Sequence, residues 1–269
     1  MQTLGEIKSL LHERGLRPRH RFGQNFLHDQ NQLRRLVDAA GVATGDVVLE
    51  VGPGTGTLTE ALLERGATVI AVEIDRDLAD LVQARVGEHI TLVRGDCLAK
   101  GRRLADAVVE AIGGRPFRLV ANLPYQVASP LMAELLMHHA ACVGQCVTIQ
   151  REVADRLVAE VGTKGWGPLS IIVQDLATVE RIAVLPASCF WPAPKVVSAM
   201  VSITPNGSAG DHTDAFGAFV TKLFTTRRKQ LGGVLGAAVV ERAGIEPKQR
   251  CEQLDLAALH RLHEAAQEQ

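Results

Sequence analysis

Asn122-Leu123-Pro124-Tyr125 directly follows the apolar run Phe117-Arg118-Leu119-Val120-Ala121. A strand that ends in Asn-x-Pro-Tyr is suited to hold the exocyclic amino group of an aromatic base. That amine is a poor nucleophile, because its lone pair is delocalised into the ring. The side-chain carbonyl of Asn122 and a neighbouring backbone carbonyl can accept its two N–H bonds and draw the nitrogen towards tetrahedral geometry, while the Tyr125 ring stacks on the base face. Leu123, preceding Pro124, is biased to extended backbone, which suits a stiff loop presenting a carbonyl. A solvated turn after a strand reads the same way, so the tetrapeptide does not decide alone.

Upstream residues bear on the choice. Val47-Val48-Leu49-Glu50-Val51 reads as a short buried strand, Gly52-Pro53-Gly54-Thr55-Gly56 follows at once, and Leu58, Ala61, Leu62 and Leu63 then fall at helical spacing. Glycines at alternate positions let a ligand approach the backbone at a helix N-terminus, but they are not the G-x-G-x-x-G spacing of pyrophosphate-binding folds. The next apolar run, Thr68–Val72, ends in Glu73, about 20 residues beyond the glycines, where a carboxylate can accept from ribose hydroxyls; a solvated strand end, with Asp75, Asp77 and Asp80 decorating the next helix, is the plainer alternative. A third run, Ile90–Arg94, ends at Gly95-Asp96, a carboxylate placed for an adenine amine or simply for a turn. Together these are four successive strand ends with polar residues, at the edge where open parallel sheets bind ligands.

These segments are joined by Arg21-Phe22-Gly23-Gln24-Asn25-Phe26-Leu27, Gln150-Arg151-Glu152-Val153-Ala154, Phe190-Trp191-Pro192-Ala193-Pro194-Lys195-Val196 and Arg227-Arg228-Lys229. In that order they make a chain that closely resembles the small-subunit ribosomal RNA adenine N6,N6-dimethyltransferases over nearly its whole length. The resemblance implies an α/β fold: a Rossmann-like class I methyltransferase dependent on S-adenosylmethionine, with a mainly parallel seven-stranded sheet and a small all-α C-terminal domain. It implies that Gln24, Asn25 and Leu27 close over the cofactor. Gly52 and Gly54 would lie against it, Glu73 hold its ribose and Asp96 its adenine amine. Asn122 and Leu123 would bind the target adenine at the cofactor's methyl end, with Tyr125 stacked on one face and Phe190 covering the other. Arg19, Arg21, Arg227, Arg228 and Lys229 would contact RNA. The implied partner is small-subunit rRNA within a small-subunit precursor, and the implied state is a cytoplasmic monomer that needs no metal.

The chain departs from the family pattern at Val197, where Asp is usual, at Trp166, where Tyr is commoner, and at Gln230-Leu231-Gly232-Gly233, which is richer in glycine than usual. None of these touches the proposed chemistry; the last bears on the RNA-facing surface. Leu123 stands where single-base DNA enzymes favour Pro, which counts against a DNA substrate and, by its lesser rigidity, leaves room for a monomethylated amine to be methylated again. A relative acting on large-subunit rRNA, and a non-catalytic assembly factor with the same fold, are the competing readings; retention of Glu73, Asp96, Asn122 and Tyr125 argues against the latter.

Composition constrains without deciding. No apolar run reaches membrane-spanning length, and Met1–Leu10 carries charges where a signal peptide would be apolar. Five cysteines without framework spacing suit reduced thiols, and His138-His139-x2-Cys142-x3-Cys146 matches no standard zinc finger. The net charge of −1 conceals a pattern: residues 1–35 carry seven Lys/Arg against three Asp/Glu, 36–100 five against eleven, and 221–250 seven against two. Basic ends around an acidic nucleoside-binding centre fit a phosphate backbone gripped at both ends, although solvated helix faces produce such imbalances as well. The expected layout is a catalytic domain over 1–203 with a basic leading segment 1–35, a linker over 204–214 that begins Thr204-Pro205-Asn206-Gly207-Ser208-Ala209-Gly210-Asp211, and a helical domain over 215–269, where Phe216, Phe219, Val220, Leu223 and Phe224 recur at helical spacing. The strand 196–203 is expected antiparallel at the sheet's edge.

Overall fold

The protein is described here by a computed structural model over residues 1–210 and 213–268. Part of the expected linker, Asp211 and His212, and the last residue of the expected helical domain, Gln269, lie outside the described residues. Nine strands occur among the described residues: β1 (Phe26–Leu27), β2 (Val47–Val51), β3 (Thr68–Glu73), β4 (Ile90–Arg94), β5 (Phe117–Asn122), β6 (Cys142–Gln150), β7 (Ala177–Leu185), β8 (Phe190–Trp191) and β9 (Ser198–Pro205). Seven form one sheet in the order β4-β3-β2-β5-β6-β9-β7, and β1 pairs with β8 in a separate ribbon. The contacts from β4 through β6 are all parallel, and β9 runs antiparallel to β6.

A parallel sheet covered on both faces demands continuous apolar strands, and β2 and β3 meet that demand. Every residue of β2 is buried, as is every residue of β3 except Thr68. The sequence reading is corrected at the far side of the sheet. Strand β9 does not form the edge; it lies between β6 and β7. Ser198, Ala199, Met200 and Val201 are consecutive buried residues, so both faces of β9 need cover. β7, with Thr178, Glu180 and Arg181 exposed, has the charged, solvent-tolerant pattern of an edge strand.

Two compact units result: Met1–Ala154 with Val179–Pro205, and Asp155–Thr178 with Asn206–Gln269. The first holds the sheet and a core that includes Leu33, Leu36, Val48, Leu62 and Met200. The second differs from the expected helical domain in taking in Asp155–Thr178. The reason is packing: Trp166 and Ile171 share a buried cluster with Phe216, Val220, Leu259 and Leu262. Trp166, the departure from the usual Tyr, is buried, and its indole N–H donates to the Leu254 carbonyl at 3.1 Å. Gly232 is also explained, since a Cβ there would come within 2.8 Å of the Pro247 Cβ. Val197 is exposed and lends only its carbonyl, which accepts from the Arg151 N–H at 2.9 Å.

Candidate active site

The carboxyl ends of β2, β3, β4 and β5 open into one cavity of about 370 Å³. Its floor is the turn after β2. Gly52 and Gly54 have φ of 75° and 61°, a region costly for any residue with a Cβ. Space reinforces the requirement: a Cβ on Gly52 would meet the Pro124 ring at 3.3 Å, and one on Gly54 would meet the Phe26 ring at 2.9 Å. The helix Thr57–Glu64 starts immediately afterwards.

Three carboxylates line this cavity. Glu73, at the end of β3, is buried and accepts from the backbone N–H of Asp75 at 2.9 Å and of Gly54 at 3.3 Å. Burial pushes its carboxyl up to about 7, opposed by those amide bonds. Glu50, interrupting the apolar run of β2, is more deeply enclosed; burial pushes it up to about 8, against the hydroxyl of Thr59 that donates to it at 2.7 Å. Asp96 is exposed, and its carboxylate accepts from the Leu98 N–H at 3.0 Å, which fixes the strand end as a turn while the side chain still faces the cavity. Glu50 has no role in the sequence reading, yet a lone acid inside a buried apolar strand was a legible signal.

Asn122 closes β5 and lines the same cavity. Its amide nitrogen donates to the Asn25 carbonyl at 2.9 Å. A carbonyl only accepts, so this contact fixes which end of the amide is nitrogen and leaves Oδ1 as the acceptor for a ligand. Leu123 is buried beside it, and its N–H donates to the Thr148 carbonyl at 3.0 Å. Tyr125 opens the helix Tyr125–His138, with its hydroxyl 2.8 Å from the Ser198 hydroxyl. Half-burial raises the Tyr125 phenol above its ordinary value, so it stays neutral. Ser198 is a further site residue that the sequence reading does not name.

The segment 19–27 is drawn onto this edge, but by different bonds from those expected. Gln24 lines the cavity, yet its side chain is engaged: Nε2 donates to Asp75 at 2.8 Å, and Oε1 accepts from the Arg19 N–H at 2.6 Å. Arg19 donates to Asp75 at 2.6 Å and also pairs with Asp77. Two carboxylates at the start of the helix Arg76–Val86 thus engage the guanidinium of Arg19. Asn25 and Leu27 also line the cavity. Arg21 does too, with its guanidinium over the Phe22 ring at 4.6 Å.

The sequence profile of a family described as ribosomal RNA adenine dimethylase matches residues 15–268. The chain belongs to that family. Among its relatives is the ribosomal RNA small subunit methyltransferase A of Magnetococcus marinus, 41% identical over 97% of this chain and 96% of the relative. The protein of the same name from Phenylobacterium zucineum is 38% identical over 98% and 94%, and that from Mycobacterium tuberculosis 40% over 96% and 86%. A solved dimethyladenosine transferase from Plasmodium falciparum shares the fold at a TM-score of 0.71, with 24% identity over 88% of this chain and 95% of that one. The fold expectation, a class I methyltransferase sheet with S-adenosylmethionine as cofactor, holds for this adenine dimethylase.

Two further residues given roles by the resemblance are not among those that line the cavity. Phe190 is buried at 3% exposure and is absent from the cavity wall. Its pairing with Leu27 turns it into the core beside Leu33 and Cys189, while Trp191 points the other way, towards Phe26. Arg227 is likewise engaged, with Glu252 at 2.5 Å and the Thr163 and Lys164 carbonyls at 2.9 and 3.2 Å. Arg228 and Lys229 remain exposed.

Proposed function

We propose that this chain transfers methyl groups from S-adenosylmethionine to the N6 amine of two adjacent adenosines in a small-subunit rRNA 3′-end hairpin, giving N6,N6-dimethyladenosine during ribosome assembly. The observation that carries the reading is the orientation of Asn122: an amide locked from behind, with its acceptor oxygen left for a base amine, in the cavity that Glu73 and Asp96 line.

The residues fit the cofactor. Ionised Glu73, with its buried oxygens already oriented by two backbone amides, is placed to accept from the ribose hydroxyls, and Asp96 from the adenine amine. Gly52 and Gly54 give backbone contact, and Asn25 and Leu27 cover the site. When bound, the cofactor supplies a methyl group on a sulfonium. The chain's task is then positional. Asn122 Oδ1 and a carbonyl at Leu123 would accept from the amine and localise its lone pair, Tyr125 would hold the ring plane, and the displaced amine proton would pass to water. Positioning of this kind contributes on the order of 7–11 kcal/mol in favourable cases, so no general base is assigned.

The substrate in this reading is rRNA in a small-subunit precursor, met by a monomer. The test is incubation with labelled cofactor and, separately, isolated undermethylated small subunits, large subunits and DNA. Label is expected in small-subunit rRNA as dimethyladenosine; label confined to large subunits or DNA overturns the assignment.

A further inference from the structure

We propose that Arg102, on the tight turn after β4, grips a phosphate of the RNA strand at the rim of this cavity. The inference rests on the RNA-methylating reading above and adds a specificity contact to it.

Arg102 is the one non-glycine residue with positive φ among the described residues, at 64°. For an arginine that backbone costs free energy, and strained positions persist where surrounding structure imposes them. Here the surroundings are explicit. The Ala99 N–H donates to the Arg103 carbonyl at 2.8 Å, the Arg102 N–H to the Ala99 carbonyl at 3.1 Å, and Leu98 and Leu104 form a bridge across the base of the turn. The turn is anchored below by the Leu104 N–H, which donates to buried Glu134 at 3.1 Å. A rigid loop thus carries Lys100, Arg102 and Arg103 only a few residues beyond Asp96.

Arg103 is paired with Glu134. Arg102 has no such partner, is exposed, and nevertheless contributes to the cavity wall. Among the described residues, the cations that line that cavity are Arg21 and Arg102. The three carboxylates of the wall are accounted for by the fold and the cofactor, and Arg102 forms an ion pair with none of them. A solvated, preoriented guanidinium at the rim of a site that takes one nucleotide from a polyanion meets phosphate by chemistry: planar, bidentate and charge-assisted. The cofactor is the weaker match, because its only anionic group is on the methionine end, which in the proposed arrangement would lie at the glycine turn rather than at Asp96.

Arg102→Gly is the informative variant, because glycine tolerates φ of 64° and the turn keeps its shape. Its thermal midpoint should equal or exceed that of wild type, since relieved strain offsets the chain entropy that glycine adds. With undermethylated small subunits as probe, apparent KM should rise roughly tenfold, the slope of log affinity against log salt should become shallower by about one, and cofactor Kd should stay within about twofold. Arg102→Lys should recover most of the slope and Arg102→Gln none. Unchanged KM and salt slope in Arg102→Gly overturn the inference, and so does a weakened cofactor with unchanged subunit binding. If wild type itself leaves small subunits unlabelled, the functional reading fails first, and the two failures stay distinct.

Discussion

The two ends of the cavity are built from different materials. At the end proposed to take the base, Asn122, Leu123 and Tyr125 are held by neutral hydrogen bonds to the Asn25 carbonyl, the Thr148 carbonyl and the Ser198 hydroxyl. At the end proposed to take the cofactor, the wall is carboxylate, and the covering segment is tied by an ion-pair network through Arg19, Gln24, Asp75 and Asp77. The contrast separates two tasks. Holding an amine at a fixed angle needs geometry that neither pH nor salt disturbs, whereas binding and releasing a cofactor tolerates, and uses, contacts that respond to both.

The largest effect expected is at the base end. Asn122→Ala removes the acceptor and leaves the Asn25 carbonyl without its donor; kcat for methyl transfer should fall on the order of 10²–10³-fold, with cofactor Kd little changed, as read by single-turnover labelling. Equal losses in kcat and cofactor affinity would show that the two ends are not separable.

Glu73 should answer to pH instead. Its carboxyl, pushed up to about 7, must be ionised to accept both ribose hydroxyls, so cofactor affinity should fall about tenfold per unit as pH drops below 7. Glu73→Gln should bind roughly 10²-fold more weakly above pH 8 and lose this dependence, by calorimetric titration. Stability carries the opposite sign. The folded values of Glu73 and Glu50 lie above the ordinary 4.5, so the folded cofactor-free protein binds the extra protons, and stability should decline as pH rises from about 4.5 to about 8. Urea unfolding midpoints across that range, flattened in Glu50→Gln, check this.

Arg19→Ala should raise cofactor Kd about tenfold at low salt, with the gap from wild type narrowing as ionic strength screens the pair. A salt-independent gap would point to packing rather than charge. Ser198→Ala should have the smallest effect, a two- to fivefold rise in KM for the RNA substrate as the Tyr125 ring loses its tether, recovered by Ser198→Thr.

Much of this contrast was legible in the sequence, and the limits of legibility are physical. Glycine at alternate positions after an apolar strand, acids at the next two strand ends and Asn-Leu-Pro-Tyr at the fourth are local patterns, and the fold places all four at one edge. What escaped was partner choice. A run of sequence shows that Arg19 and Arg227 are cations, not that Asp75, Asp77 and Glu252 pair with them. Phe190 escaped for a related reason: which of two adjacent aromatics faces the core depends on the register of β8 against β1, and that register is fixed by a strand more than 160 residues earlier. The edge position of β7 was hidden because its half-polar pattern carries little strand signal on its own.

The ring of Phe26 fills the volume that a side chain on residue 54 would need. Cover and floor are therefore cut to one another, like a key and its ward. Grafting the leading segment of a relative onto this chain, or its loop after β2 alone, should give poorly active hybrids, while exchanging both pieces together should restore turnover.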